Sequence, residues 1–237
     1  MHPALKWTLW GLALSGGAVG TYFVFRGAGL VGELPRAQGD SLTVNTFTLN
    51  SSKQDFVRGV MSAGASGPAT LGPATRALLA AWGALESGWG KTRQAKLGFN
   101  LWNVSKGAWT GPTIPGADTE YVEGAANPKA ITQAWRQYAG VEAAANDLIN
   151  LLKNSRFVNY REAYEDLIRG DPMFATRLGV FEKVNGNIVR VDTRPNTAGF
   201  YTLPRSEYQA HVSALYRDVQ TLIAQTGIAG LAAGTQS

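Results

Sequence analysis

The chain has 237 residues, of which 45% are hydrophobic and 16% are charged, and this composition suits one globular domain with appendages. A formal net charge of +5 favours a polyanionic partner such as nucleic acid, anionic lipid or an acidic cell-wall polymer. The basic residues are scattered without a run of five or more, so a dedicated nucleic-acid surface is not supported. Cysteine is absent and the histidines are His2 and His211, so thiol catalysis is excluded and a Ser–His triad or a histidine metal site is disfavoured.

The N-terminal segment predicts a membrane anchor. Residues 7–25 carry no charge and would span roughly 28 Å as a helix, at about 1.5 Å per residue, which is enough to cross a bilayer core. Lys6 and Arg26 bracket the segment, and aromatic residues lie near both of its ends. The alternatives are a cleaved signal peptide and a buried soluble helix, although the apolar run continues past the small residues that would permit cleavage. We therefore assign residues 1–26 to a transmembrane anchor that contacts the lipid bilayer through residues 7–25.

Two further segments predict little regular structure. Residues 27–51 are rich in Gly, Ser, Thr and Asn, which indicates a flexible linker. Residues 227–237 are small and uncharged, which predicts a disordered tail. The folded domain is therefore predicted over residues 52–226.

Apolar residues at helical spacing predict helix for most of this domain. A helix beginning at Pro73 carries an apolar stripe as far as Leu85 and ends at Gly88. Another helix is predicted to begin at Lys53 and to end before a loop that starts at Gly64. Further helices are predicted over residues 134–152, 160–169, 175–179 and 206–224. Residues 100–121 predict loop and hairpin, and Asn185-Gly186 predicts a second hairpin. The predicted fold class is α+β, mainly α.

One acidic residue, Glu86, stands at the end of the Pro73 helix and is followed by Ser-Gly-Trp-Gly. Such an acid can face a cleft while its helix is buried. Four tryptophans could supply apolar walls and sugar-stacking faces: Trp82, Trp89, Trp102 and Trp109. Desolvation there would raise the pKa of the carboxyl and allow general acid catalysis near neutral pH. The competing interpretation is a surface glutamate before a glycine cap.

Glycosidases need a second carboxylate across the sugar ring. Glu120 and Glu123 lie in the presumed β region and are both candidates, and Asp118 is a weaker third. The alternative is that these are solvent-facing acids of a strand.

Six segments, in this order, resemble the glucosaminidase family of peptidoglycan hydrolases, glycoside hydrolase family 73, and its flagellar-type members in particular. They read ALESGWGK (84–91), FNLWNVSK (99–106), WTGP (109–112), TEYVEG (119–124), AWRQYAGVEAAANDLINLLKNSRF (134–157) and AGFYTLPRSEYQAHVSALY (198–216). The resemblance covers residues 54–222 and implies a lysozyme-like domain with a small β-hairpin lobe. Lytic transglycosylases share the same fold and a looser Glu-Ser motif.

The resemblance also implies roles for individual residues. Glu86 matches the catalytic acid, Glu120 matches the proposed second carboxylate, and Glu123 falls on a variable position. Asn100 and Lys106 match positions that shape the cleft floor. The full set of predicted substrate-binding residues is Trp89, Asn100, Trp102, Lys106, Trp109, Tyr121 and Tyr138.

The sequence departs from the family at three places. Trp102-Asn103 replaces Phe-Gly, which makes the floor bulkier and removes a glycine. The family's catalytic-site tyrosine falls on Phe200 without a gap, and we assign its role to the adjacent Tyr201. The insertion Phe181 to Asn196 has no counterpart that we can place in the family.

The function implied is a membrane-anchored hydrolase of the β-1,4 bonds between GlcNAc and MurNAc in peptidoglycan, acting as an endo-β-N-acetylglucosaminidase or a muramidase, without metal or cofactor. Glu86 would act as general acid, and Glu120 or the N-acetyl group of the sugar would assist. The alternatives are a lytic transglycosylase and a non-catalytic wall-binding or assembly protein. The catalytic domain would face the periplasm and cell wall of a bacterium, or the protein would be a lysin in a phage virion membrane. No nucleic-acid partner is expected, and the sequence leaves the stereochemistry, membrane orientation and oligomeric state open.

Overall fold

The computed structural model describes residues 52–66, 71–120, 129–185, 187–201 and 203–227. The predicted anchor (1–26) and linker (27–51) lie outside these ranges, as does all of the predicted tail beyond Gly227. Within the described ranges, no helix is long and apolar enough to cross a membrane. The anchor therefore stays a prediction.

The described part of the chain contains seven helices and two antiparallel hairpins. The helices are α1 (Lys53–Ser66), α2 (Pro73–Ser87), α3 (Arg93–Gly98), α4 (Val141–Lys153), α5 (Val158–Ile168), α6 (Phe174–Arg177) and α7 (Arg205–Thr226). The strands are β1 (Thr113–Glu120), β2 (Lys129–Arg136), β3 (Phe181–Val184) and β4 (Asn187–Arg190). The α+β, mainly α class is confirmed, and the arrangement is consistent with a lysozyme-like domain.

Helix α2 runs through the centre of the core. Its residues 75–84 are buried on every face, as expected of a helix that is apolar all round and enclosed by other elements. It packs against α1 and α7. Pro73 begins it, where a missing N–H costs nothing, and Gly88 ends it in the left-handed conformation (φ 56°) with its N–H bonded to the Ala84 carbonyl. Both ends lie where the sequence predicted them.

The prediction that a helix begins at Ala134 was wrong for the first residues of that segment. Ala134 to Arg136 belong to β2, which pairs with β1 in the register Thr113↔Arg136 to Glu120↔Lys129. Helix α4 begins only at Val141, after an extended Gly140. Smaller differences are the continuation of α1 to Ser66 and the short helix α3, which the sequence did not predict.

The second hairpin lies where Asn185-Gly186 predicted it. Strands β3 and β4 pair from Phe181↔Arg190 to Val184↔Asn187, and Asn185 has the positive φ (50°) that such a turn requires. Both strands carry exposed apolar side chains, namely Val184, Ile188 and Val189. The predicted insertion is therefore an exposed hairpin between α6 and α7.

A buried ion pair fixes the first hairpin to the helical core. Arg136 of β2 donates from Nη1 to both carboxylate oxygens of Asp147 on α4, at 3.0 and 2.7 Å. Its Nε donates to the Ser105 carbonyl at 3.1 Å, and the Tyr138 hydroxyl donates to Asp147 Oδ2 at 2.7 Å. Arg136 and Asp147 are each only 8% exposed, so both charges depend on these partners.

We expect Asp147→Ala to destabilise the protein by about 3–5 kcal/mol, because it leaves the Arg136 guanidinium buried without a counter-charge. The matched control is Arg58→Ala, which breaks a pair with Asp55 whose side chains are 50% and 37% exposed. That change should cost less than about 1 kcal/mol. Guanidinium denaturation measures both values, and equal losses for the two variants would contradict the role given to the buried pair.

Candidate active site

Glu86 is the penultimate residue of α2, and the backbone turns sharply away directly after it. Gly88, Trp89 and Gly90 all have positive φ (56°, 63° and 80°). Ser87 stabilises this exit, because its hydroxyl donates to the Gly83 carbonyl and accepts the Gly90 N–H at 2.8 Å. The helix therefore places the Glu86 side chain in the core, where it is 0% exposed.

Two side chains from distant elements bond the Glu86 carboxyl. The Tyr208 hydroxyl, on α7, donates to Oε1. The Asn103 amide donates to the Glu86 backbone carbonyl at 2.7 Å and lies 3.4 Å from Oε2. Behind Tyr208, the Trp82 indole N–H donates to the tyrosine hydroxyl at 2.8 Å. These contacts join α2, α7 and the loop after α3 at one carboxyl group.

The surroundings keep this carboxyl protonated. Burial raises the pKa of Glu86 to about 8, against the opposing effect of the hydrogen bonds from Tyr208 and Asn103. Burial, followed by the charge of Glu86, also raises the pKa of Tyr208 well above its ordinary value. At neutral pH Glu86 is therefore a neutral acid with a proton to donate. The raised pKa expected from the sequence is present, although its cause is full burial and not partial desolvation.

The structure places Tyr201 one layer behind the acid. Its ring stacks on that of Tyr208, with centroids 3.7 Å apart and planes 16° apart. Its hydroxyl donates to the Ala175 carbonyl at 2.7 Å, and the residue is buried. The hydroxyl is thus directed at α6 and not at Glu86, which does not fit the role of catalytic-site tyrosine predicted for it. Phe200 is buried as well, against the Trp82 ring at 5.2 Å.

Three residues predicted to bind substrate have structural roles. Trp102 is fully buried with its N–H bonded to the Leu79 carbonyl at 3.1 Å, so its ring presents no face for sugar stacking. Asn100 is also buried, and its amide donates to the carbonyls of Val104 and Arg136 at 2.8 and 3.0 Å. Buried Tyr138 uses its hydroxyl to bond Asp147, as described above.

Three other predicted binding residues keep accessible surface. Trp89 is half-buried, with its ring against Phe56 (centroids 5.7 Å apart) and the Lys53 ammonium 4.6 Å from its centroid. Trp109 is half-buried, with the Arg136 guanidinium 5.2 Å from its ring centroid. Lys106 is exposed. These side chains can contact a ligand without rearrangement of the core.

The second carboxylate stays a prediction. Glu120 is the last residue of β1 and pairs with Lys129 through the backbone, and its side chain lies outside the description. Tyr121 and Glu123 fall between the described ranges. In the described part of the chain, no group of three His, Cys, Asp or Glu side chains could hold a metal ion.

Sequence reasoning missed the two side chains that bond Glu86. Tyr208 lies in the helix predicted over residues 206–224, and its hydroxyl needs a partner once the ring is buried. Asn103 was noted only as the loss of a glycine. The signal in the sequence is an asparagine where the family has a glycine, because both residues adopt positive φ readily, and the φ of Asn103 is 50°.

Glu86 is thus a neutral, buried glutamic acid at the end of a core helix, and a glutamic acid with a raised pKa is a candidate for the general acid of a glycosidase. The sequence model of the glucosaminidase family, described as mannosyl-glycoprotein endo-β-N-acetylglucosaminidase, matches residues 73–229. The chain belongs to this family and is a glycoside hydrolase, which confirms the resemblance seen in the sequence motifs.

Comparison with solved structures gives matches at low sequence identity. A mutant of a peptidoglycan hydrolase from Sphingomonas sp. A1 is 23% identical with a TM-score of 0.50, and the match covers 73% of this chain and 99% of that one. The catalytic domain of the autolysin Auto from Listeria monocytogenes is 16% identical (TM-score 0.49; 73% and 88% covered). The glycoside hydrolase domain of FlgJ from Salmonella typhimurium is 19% identical (TM-score 0.44; 72% and 99% covered). Comparison with curated protein sequences finds no match.

The raised pKa of Glu86 makes stability depend on pH. Folded Glu86 holds its proton up to about pH 8, whereas the unfolded side chain loses it near its ordinary value of 4.5. The contribution to stability is therefore complete below about pH 4.5 and is lost as the pH rises through about 8.

Glu86→Gln has no proton to lose. We expect it to be more stable than the wild type by roughly 2–5 kcal/mol at alkaline pH, with a difference that shrinks towards pH 4.5. Guanidinium denaturation across this range measures the difference, and parallel curves would contradict a buried neutral acid.

Proposed function

We propose that the protein hydrolyses the β-1,4 bonds between GlcNAc and MurNAc in peptidoglycan glycan strands, with Glu86 as the general acid. The observation that supports this most directly is the buried, protonated Glu86 carboxyl in a chain of the glucosaminidase family. Peptidoglycan is chosen because the Sphingomonas structure of the same fold is a peptidoglycan hydrolase. The net charge of +5 also favours an anionic wall polymer.

In the proposed reaction Glu86 gives its proton to the glycosidic oxygen as the bond from that oxygen to the sugar C1 breaks. The positive charge that develops on the sugar is stabilised by Glu120, or by the sugar N-acetyl group. Water then forms a bond to C1 and gives up a proton to a carboxylate of the site, so that Glu86 is protonated again at the end of the cycle. Because Glu86 is 0% exposed, the glycosidic oxygen reaches it only after neighbouring side chains move aside. Asn103, which is 6% exposed and lies on a loop, is the neighbour best placed to do so.

Binding of the glycan strand is assigned to the side chains that keep accessible surface. The half-buried rings of Trp89 and Trp109 offer apolar faces for pyranose rings, and exposed Lys106 offers a positive charge to the acidic peptide stems. Buried Trp102, Asn100 and Tyr138 would support this surface from below without contacting the sugar.

Glu86→Gln should reduce the release of reducing sugar from purified peptidoglycan by at least about 100-fold, because the amide has no acidic proton to give. Glu120→Gln should reduce the rate strongly if Glu120 acts on the developing charge, and only slightly if the N-acetyl group does. Glu123→Gln is the matched control, since it removes a nearby carboxylate at a variable position and should act like the wild type.

Mass analysis of the products tests the bond as well as the acid. Reducing GlcNAc ends support the glucosaminidase reaction, and reducing MurNAc ends indicate a muramidase. Anhydro-muramyl ends would show a lytic transglycosylase instead, and wild-type protein that binds sacculi without releasing sugar would reject an enzyme. Unchanged activity of Glu86→Gln would reject the assignment of the acid.

We further propose that residues 7–25 anchor the enzyme in a membrane, with the linker 27–51 letting the catalytic domain reach the wall. The support is the uncharged run of 19 residues, flanked by Lys6 and Arg26. The setting would be a bacterial envelope or the membrane of a phage virion.

The expressed chain should stay in the membrane pellet after alkaline carbonate extraction and keep its full mass of 25.3 kDa. The control is Leu12→Arg with Val19→Arg, which places two charges in the apolar run and should release the protein. A shorter wild-type species in the soluble fraction would indicate a cleaved signal peptide and overturn the anchor.

A further inference from the structure

Tyr208 is held in one orientation from three sides. Its ring stacks on Tyr201 (3.7 Å between centroids), and its hydroxyl bonds Trp82 and Glu86. The Trp82 ring is itself packed between Phe174 and Phe200, with centroids 5.3 and 5.2 Å away. The tyrosine hydroxyl therefore occupies a fixed position beside the Glu86 carboxyl.

The chemistry of these groups fixes the direction of each hydrogen bond. An indole N–H can only donate, so Trp82 occupies one acceptor site of the Tyr208 oxygen. The single proton of Tyr208 then needs an acceptor. Among the contacts of the described residues, Glu86 Oε1 is the acceptor within reach. Any other direction would leave a buried hydroxyl donor unsatisfied.

This direction determines where the neutral carboxyl carries its own proton. Both carboxyl oxygens accept a hydrogen bond, Oε1 from the Tyr208 hydroxyl and Oε2 from the Asn103 amide. The Asn103 contact is long at 3.4 Å, so Oε1 is the better-bonded oxygen and acts as the carbonyl oxygen of the acid. The acidic proton then lies on Oε2, the oxygen 3.4 Å from the Asn103 amide. Asn103 belongs to the loop proposed to move aside for substrate, so Oε2 is the oxygen that would meet the glycosidic oxygen.

We propose that Tyr208, oriented by Trp82, is a positioning residue that keeps the acidic proton of Glu86 on Oε2. This inference rests on the proposed role of Glu86 as general acid. Tyr208 bonds the acid and not the substrate, so its effect is on proton delivery and on the pH dependence of the rate.

The titratable groups around the pair are few in the described part of the chain. Tyr201 lies against Tyr208, and Tyr160, Arg205 and Glu182 act on Tyr201 from α5, α7 and β3. The hydrogen bonds from Tyr208 and Asn103 lower the pKa of Glu86, in opposition to burial. Removal of the Tyr208 hydroxyl should therefore raise the pKa of Glu86 further.

The test compares Tyr208→Phe with the wild type on soluble peptidoglycan fragments. We expect the alkaline limb of the rate profile to move up by about one pH unit, because a hydrogen bond to the carboxylate is lost. We also expect kcat to fall at least about tenfold with little change in KM, because the proton is no longer held on Oε2. The matched control is Tyr160→Phe, which removes another buried hydroxyl from the core and should leave the limb in place.

A second variant changes the same bond in the opposite direction without changing the shape of the core. Replacement of Tyr208 by 3-fluorotyrosine makes the hydroxyl a stronger donor, so the alkaline limb should move down. Infrared titration of the Glu86 carboxyl, identified by its loss in Glu86→Gln, measures the same shifts without substrate. The proposal is overturned if neither variant moves the pKa of Glu86. If Glu86→Gln keeps full activity, the proposed function fails, while the titration still decides what Tyr208 does to the carboxyl.

Discussion

The burial of one carboxyl group governs the rest of this structure. An ionised carboxylate in a core is costly to keep, and the protein avoids that cost at neutral pH by raising the pKa of Glu86 to about 8. The hydrogen bonds that Glu86 receives oppose this effect but do not outweigh it. A carboxyl that is neutral and hydrogen-bonded is compatible with a dense core and still holds a proton at neutral pH, which is the protonation state that a general acid needs.

The positions of α2, α7 and the first hairpin can be described in relation to the Glu86 carboxyl. Helix α2 is apolar on all sides, so it can carry Glu86 into the interior, and α7 packs on it to bring Tyr208 to the carboxyl. The first hairpin buries Ile114 and Trp135, and the Arg136–Asp147 pair ties it to α4. The lobe predicted to carry the second carboxylate is thus held to the helical core by a polar contact.

Short sequence patterns correctly predicted the ends of α2 and the turn of the second hairpin, because these features depend on residues close together in the chain. The apolar stripe, Pro73 and Gly88 define α2 within the chain, and the Asn-Gly turn defines the second hairpin. The start of the helix was misassigned at Ala134 because residues 134–136 form a strand only by pairing with β1, which lies about 20 residues earlier in the chain. Tyr208 is 122 residues from Glu86, so no short motif could join them. The assignment of Trp102, Asn100 and Tyr138 to substrate binding shows the opposite error, since the two motifs that contain them also supply buried residues of the core.

The residues of the Glu-Ser-Gly-Trp-Gly stretch at the end of α2 have two different roles. Glu86 is the residue proposed to give the proton, whereas Ser87 and the three left-handed residues Gly88, Trp89 and Gly90 turn the chain out of the core. Without that turn, α2 would continue past the acid and the carboxyl would lie in the middle of a helix, away from any edge. To graft this acid onto another helical scaffold, a designer would therefore have to transfer the left-handed turn with it and choose a helix that can end at that point.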